Sequence, residues 1–280
     1  MNMIKALSLP FALLLLLCAQ AWAQLDVRLE PVRRDYLLGE KAALRLTLIN
    51  HTDSPVELKS TPGRPWLHLE VARRGDPTPL IPSTRPRFPD AKIMPGSRKA
   101  YTLELQPQFR IIREGIYHVS ATVRMPDMRS TFSSAPASFN MSSGGTVRSF
   151  NIQARGQRLQ LLVKVLTLDG KTSLFGQVVN PETRVPLGAC FLGRYLNFME
   201  PRILLDRAQN LHLLCQSTAD LFTYAVMDTF GNRSQQRILK RTGGVVDLIG
   251  TGSGIRYIGL APYVKESKPN SQFHSATERP

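Results

Sequence analysis

Cys190 and Cys215, with the aspartates Asp206, Asp220 and Asp228, are the side chains whose types and positions come nearest to chemistry in this chain. A cysteine nucleophile needs a thiolate and a neighbouring base. Both cysteines lie in strongly apolar stretches, which favour inert sulfur or a disulfide. Two carboxylates facing each other across a cleft would suit glycoside hydrolysis. The three aspartates sit where strands end, and turn aspartates are common for backbone reasons alone. A metal site would want His, Cys, Asp or Glu at close, repeated spacing. The five histidines, His51, His68, His118, His212 and His274, are scattered, with no H-x-x-x-H or C-x-x-C. His212 and Cys215 are the nearest soft pair, and three residues apart on a strand means opposite faces. Gly250-Thr251-Gly252-Ser253-Gly254 has its glycines at the wrong offsets for a nucleophile elbow, so it reads as a turn. No catalytic residue, metal site or cofactor is expected.

The elements that carry these residues read as strands. Apolar runs at 203–205, 211–215 and 222–227 are separated by turn residues, which makes a β-meander. Upstream, 159–168 and 172–179 flank Asp169-Gly170, a strong hairpin signal, and 188–196 carries Cys190. Downstream, 237–240 and 245–249 are expected to pair as a hairpin through Gly243-Gly244, with a last strand near 256–260. No 3.6-residue periodicity competes, so 153–264 is expected to be a second antiparallel β domain. In the first half, Leu25, Val27 and Leu29 alternate with polar partners, and strands follow at 43–49, 56–58, 66–72, 100–105 and 115–123. Residues 76–98 hold six prolines with Arg85, Arg87 and Arg98, which makes a loop or a broken edge strand. The stretch 147–152 is either a last strand or the linker, and the boundary is placed near 152, to within about ten residues. Residues 265–280, poor in apolar side chains, are expected to form a disordered tail.

Residues 1–23 have the order of a secretory signal peptide: Lys5, an apolar run at 7–19, and Ala21-Trp22-Ala23 before Gln24. The run is short for a membrane span, and Leu17 before Cys18 argues against lipidation. Cleavage would leave a periplasmic or extracellular chain with no transmembrane segment. Its two cysteines, Cys190 and Cys215, would either form one bridge or remain buried thiols; a bridge closing about 25 residues would contribute about 3 kcal/mol. The mature chain carries 35 basic and 21 acidic side chains, a net +14 spread over both halves. A dispersed excess suits weak association with anionic envelope components, or solubility alone. Sequence-specific nucleic-acid binding is not expected, because neither a recognition helix nor a base-stacking platform is visible.

Tyr36-Leu37-Leu38-Gly39-Glu40, an alternating strand and then Asn50-His51-Thr52 resemble bacterial exported immunoglobulin-like β-sandwiches. Gly115 leading into a strand with Tyr117 is similar to the late strand of such domains, whose tyrosine helps to fix a corner. The resemblance implies an immunoglobulin-like sandwich over 24–152, with binding through loops and sheet edges. The class includes one small group of proteinase inhibitors, for which the loop 76–98 would be the presented segment. The C-terminal half resembles uncharacterised secreted bacterial β proteins, which brings no activity. Its phrase LDRAQNLHLL is also similar to β-propeller strand pairs, but Gln209 stands where glycine is usual and the unit does not recur. The expectation is an exported, non-catalytic binding or envelope-associated protein. It would have two antiparallel β-sandwich-type domains after a cleaved signal peptide, and anionic envelope components or another exported protein as partner. The alternatives are a glycan- or peptide-acting hydrolase using strand-end carboxylates and a loop-presenting proteinase inhibitor.

Overall fold

The computed structural model describes residues 25–264 apart from 62, 85–87, 127–129, 155, 169 and 253. The leader 1–23, the tail 265–280, Arg85, Arg87 and Asp169 lie outside the described residues. The described residues are all-β, with twenty-one strands and no helix. They divide into two compact units between Ser143 and Gly144.

In the first unit, β1 (Leu25–Pro31), β3 (Ala43–Asn50) and β7 (Arg98–Glu104) form an antiparallel sheet in the order β1-β3-β7. The facing sheet runs β2 (Asp35–Leu37), β10 (Ala137–Ser142), β8 (Gly115–Arg124), β5 (Leu67–Arg73), with β9 (Thr131–Ser133) beside β8. The β2–β10 pairing is parallel. A small ribbon joins β4 (Val56–Leu58) to β6 (Ala91–Ile93), so the proline-rich segment does contain a short strand. Alternation fixes which face is buried: Leu25, Val27 and Leu29 from β1 meet Leu67, Leu69 and Val71 from β5 and Val119, Ala121 and Val123 from β8 in one core. Each such Leu or Val side chain contributes roughly 1.5–3 kcal/mol on burial.

Tyr117 stacks on Phe139 at 5.5 Å and its hydroxyl donates to Arg113 O at 2.7 Å. That bond ties β8 back to the connection that enters it. The Tyr36–Glu40 turn is locked as well. Gly39 takes a φ of 93°, and the buried Glu40 accepts from Leu37 N–H at 2.7 Å and from Arg33 Nη2 at 2.9 Å.

The second unit opens with β11 (Gly145–Ala154), which pairs along its length with β12 (Gln157–Leu168). Residues 147–152 therefore belong to this unit. The sheet continues through β13 (Lys171–Val179) to β14 (Pro186–Arg194). A second sheet runs β15 (Arg202–Leu205), β16 (Leu211–Gln216), β17 (Leu221–Met227), β18 (Arg233–Arg241), β21 (Leu260–Pro262). Leu211, Leu213, Cys215, Ala225 and Met227 point into a core shared with β12–β14. Leu214, Phe222, Tyr224 and Val226 point the other way, into a second core with Val246, Leu248 and Tyr257. The cover on that side is the ribbon of β19 (Asp247–Thr251) and β20 (Gly254–Ile258).

The hairpin expected through Gly243-Gly244 is not formed. β18 pairs with β17 and β21, while the chain after Gly244 crosses to the opposite face. The reason is the apolar underside of β16–β17, which would otherwise face water. The meander is thus buried on both faces, which is why its sequence shows continuous apolar runs rather than alternation.

Candidate functional site

The site is assembled in the first unit from four separated stretches. Trp66 precedes β5, Phe88 and Pro89 precede β6, Tyr101–Glu104 lie on β7, and Gln106–Gln108 form the turn after it. Together they line a cavity of about 400 Å³. The Trp66 indole N–H donates to Pro89 O at 3.1 Å, which holds the ring and the loop to each other. Ser83 N–H donates to Gln108 O at 2.7 Å and fastens the same loop to the turn. Phe88 and Tyr101 stand 5.9 and 6.1 Å from Trp66 with their rings inclined at 58° and 55°, so the aromatic wall is a cup rather than a flat platform.

Polar atoms complete the cup. Gln106 Oε1 accepts from Ala42 N–H at 2.9 Å, which fixes that amide in place. Gln106 Nε2, Gln108 Oε1 and the Tyr101 hydroxyl are buried and have no hydrogen-bond partner among the described residues. All three residues line the cavity. A buried polar atom left unpaired costs about 1–3 kcal/mol. The three are one donor, one acceptor and one hydroxyl able to do either, all enclosed in the wall. An aromatic-walled cup of this volume has the size of a ligand site. Neither Gln106, Gln108 nor Tyr101 stood out in the sequence; the available signal was the run Gln-Pro-Gln following an aromatic edge strand.

Of the stretches singled out in the sequence, the loop 76–98 reaches this cavity through Phe88 and Pro89, while the two cysteines and the three aspartates lie in the second unit and do not converge on one another. Cys190 and Cys215 are both thiols. Cys215 is wholly buried between the sheets, where its thiol donates to Arg194 O at 3.3 Å, and burial pushes its pKa up to about 12. Almost no thiolate exists at neutral pH, so Cys215 is no nucleophile. Mass spectrometry after iodoacetamide treatment is expected to find Cys215 unmodified in the folded chain and modified in denaturant. Rapid labelling of folded protein would contradict its placement.

Asp206 and Asp228 stand at one end of the meander and Asp220 at the other, as the Leu211–Met227 pairing dictates. Asp206 accepts from Asn210 N–H at 2.8 Å and Asn210 Nδ2 at 2.9 Å. Burial pushes its carboxyl up, but the Asn210 bonds and His212 outweigh this and hold it below the usual range. His212 Nε2 lies 3.3 Å from Asp206 Oδ2 and Nδ1 lies 2.7 Å from the Tyr224 hydroxyl. Burial raises the Tyr224 phenol, which stays protonated. Both ring nitrogens of His212 are used inside this buried chain, on the face of β16 opposite Cys215. Asp228 Oδ1 accepts from Phe230 N–H and Asn232 N–H, each at 2.8 Å, as a turn residue does. Among the described residues no three His, Cys, Asp or Glu side chains gather as a metal site would require, and no helix is long and apolar enough to cross a membrane. A second cavity, of about 680 Å³, is lined by Arg148, Tyr195, Asn197 and Glu200, but the Tyr195 hydroxyl is already spent on Asn197 Oδ1 at 2.8 Å.

No family model matches this chain, and no curated protein matches it in sequence. Among solved structures it is weakly similar to the Pseudomonas fluorescens alkylpurine DNA glycosylase AlkC bound to DNA containing an abasic site analog. That match has 16% identity and a TM-score of 0.27, covering 46% of this chain and 33% of that one. It is also weakly similar to the periplasmic chaperone SfaE, with 13% identity and a TM-score of 0.25, covering 76% of this chain and 98% of that one. The chain thus spans about a third of the length of the glycosylase. Similarities this low bear on neither fold family nor function.

Proposed function

We propose that the protein is an exported, non-catalytic binding module whose ligand occupies the aromatic cavity of the first unit. The observation that carries this reading is the cavity of about 400 Å³ walled by Trp66, Phe88 and Tyr101, with Gln106 and Gln108 among its lining residues. An immunoglobulin-like kinship of the first unit is part of the proposal, supported by the Tyr117–Arg113 corner bond and the two facing sheets. Association with anionic envelope surfaces remains a second, weaker contact, supported by the net charge alone. Hydrolysis by strand-end carboxylates is the less favoured reading, since Asp206 and Asp228 are engaged in their own turns.

The test is a calorimetric binding panel of linear peptides and neutral oligosaccharides against the full chain, its Tyr101→Ala variant and its Gln106→Leu variant. Saturable binding to the unsubstituted chain is expected, weakened about tenfold or more in either variant. Turnover of a panel member, abolished by Asp206→Asn, would replace this reading with the hydrolase.

A further inference from the structure

We infer that the cavity and the outer edge of β7 form one peptide site: an extended segment of a partner protein adds to β7 as a further strand and seats an apolar side chain in the Trp66–Phe88–Tyr101 cup. The inference rests on the proposed binding function and names the ligand class.

The edge comes first. Leu105 N–H donates to Ala42 O at 2.9 Å and Asn50 N–H donates to Ser97 O at 3.0 Å. With the register Leu103 to Leu44 and Tyr101 to Leu46, the odd-numbered residues of β7 are the ones bonded to β3. In an antiparallel ladder the alternate residues then face away, so the N–H and C=O groups of Ala100, Thr102 and Glu104 point off the sheet. β7 pairs with β3 alone, and among the described residues these outward groups receive no hydrogen bond. Two other sheet edges receive hydrogen bonds from elsewhere in their own unit. On β5, Val71 O accepts from Leu80 N–H at 2.7 Å. On β14, Phe191 O and Leu192 O accept from Arg233 Nη1 at 3.0 Å and Gln236 Nε2 at 3.2 Å. Charged side chains stand at both ends of β7, Arg98 and Lys99 at one and Glu104, paired with Lys41 at 3.3 Å, at the other, and they leave residues 100–103 between them uncharged.

The cavity opens along this same stretch. Thr102 and Glu104, two of the outward-facing residues, are among its lining residues. A strand laid on β7 would run past the cup, with its alternate side chains at the spacing of a pleated edge. At the end of the strand, Gln106 and Gln108 are among the lining residues of the same cavity. A pyranose fits less well. It stacks on a flat exposed ring, whereas Trp66 is 2% exposed and its neighbours are steeply inclined to it. The cup takes an uncharged apolar side chain, and an acidic residue of the same peptide would meet Arg98 and Lys99.

The full chain is panned against a displayed library of random linear peptides, and the selected peptides are synthesised. Their sequences are expected to alternate apolar residues, and hydrogen exchange is expected to slow at the Ala100, Thr102 and Glu104 amides when they bind. Thr102→Pro removes an outward N–H and no bond to β3, a change that edge strands accept. It is expected to weaken binding about tenfold or more while the thermal transition stays put. If Thr102→Pro does not fold, protection of the unsubstituted chain's amides decides alone. Unchanged affinity in Thr102→Pro, with no protection on β7, overturns strand addition; loss of affinity in Tyr101→Ala would then keep the cavity as the site. Binding of neutral oligosaccharides in place of peptides overturns the peptide assignment. Binding of neither overturns this inference together with the function it rests on.

Discussion

Gly188→Ala is expected to destabilise the second unit by about 3 kcal/mol and to lower its Tm by roughly 10 °C. Gly188 sits near the start of β14, where the backbone of the β17–β18 turn passes against it. A Cβ there would collide with Phe230 O, with Phe230 C at 3.3 Å and Gly231 Cα at 3.4 Å. The approach is close from both sides. A Cβ on Gly231, whose φ is 81°, would lie 2.5 Å from Gly188 C. Backbone cannot swing aside as a long side chain does, so either β14 or the turn must move, and both help to close the core around Met227 and Leu192. Gly250→Ala is the control, because a Cβ at Gly250 meets nothing within 4 Å. Thermal and denaturant unfolding of the two variants decides the matter. A Gly188→Ala protein within about 0.5 kcal/mol of the unsubstituted chain would contradict the contact.

Arg33→Ala should cost the first unit about 2 kcal/mol near neutral pH and far less in acid. The figure lies below the range for fully buried pairs because the Arg33 side chain is 40% exposed, against 6% for Glu40. Burial pushes the Glu40 carboxyl above its usual value of 4.5, against the opposing pull of Arg33 and the Leu37 N–H. The folded state therefore holds the Glu40 proton more tightly than the unfolded chain does. That contribution to stability is complete below pH 4.5 and is lost as pH rises through the folded value. Without Arg33 the buried carboxylate has no cation, so the loss deepens on the alkaline side. Arg33 also lies over the Tyr36 ring at 4.4 Å, and this packing is lost at every pH. In a Glu40→Gln background the same substitution should cost only the packing part, which a double-mutant cycle isolates. A cost for Arg33→Ala that does not vary with pH would show that the pairing with Glu40 contributes nothing.

The local elements were legible in the sequence to differing depths. Alternation at Leu25, Val27 and Leu29 gave β1 and its buried face. The turn chemistry of Asp206 to Asn210, Ser217 to Asp220 and Asp228 to Asn232 gave the three reversals from β15 to β18. Even the odd residue there has a physical answer. Gln209 stands where glycine is usual and takes a φ of 63°, close to the 81° of Gly231, and its side chain accepts from Gln153 N–H at 2.7 Å. What turn residues do not encode is the layer to which the reversed chain goes. Gly243-Gly244 marks a reversal, yet the chain beyond it packs on Phe222 and Tyr224 instead of pairing with β18. The cavity was illegible for a related reason. Its walls come from four stretches between Trp66 and Gln108, and only the folded sheets bring them together.

The central claim, that this cavity binds a ligand, has its most direct reporter in Trp66. The chain has two tryptophans, and with Trp22 replaced by phenylalanine Trp66 is the only one left. Its ring forms part of the cavity wall and its N–H is held by Pro89. Titration with a selected peptide is expected to shift or quench the emission of Trp66 saturably, at the affinity found by calorimetry, and Tyr101→Ala is expected to remove the response. Calorimetric binding that leaves Trp66 emission unchanged at saturation would place the ligand elsewhere on the molecule and contradict the account.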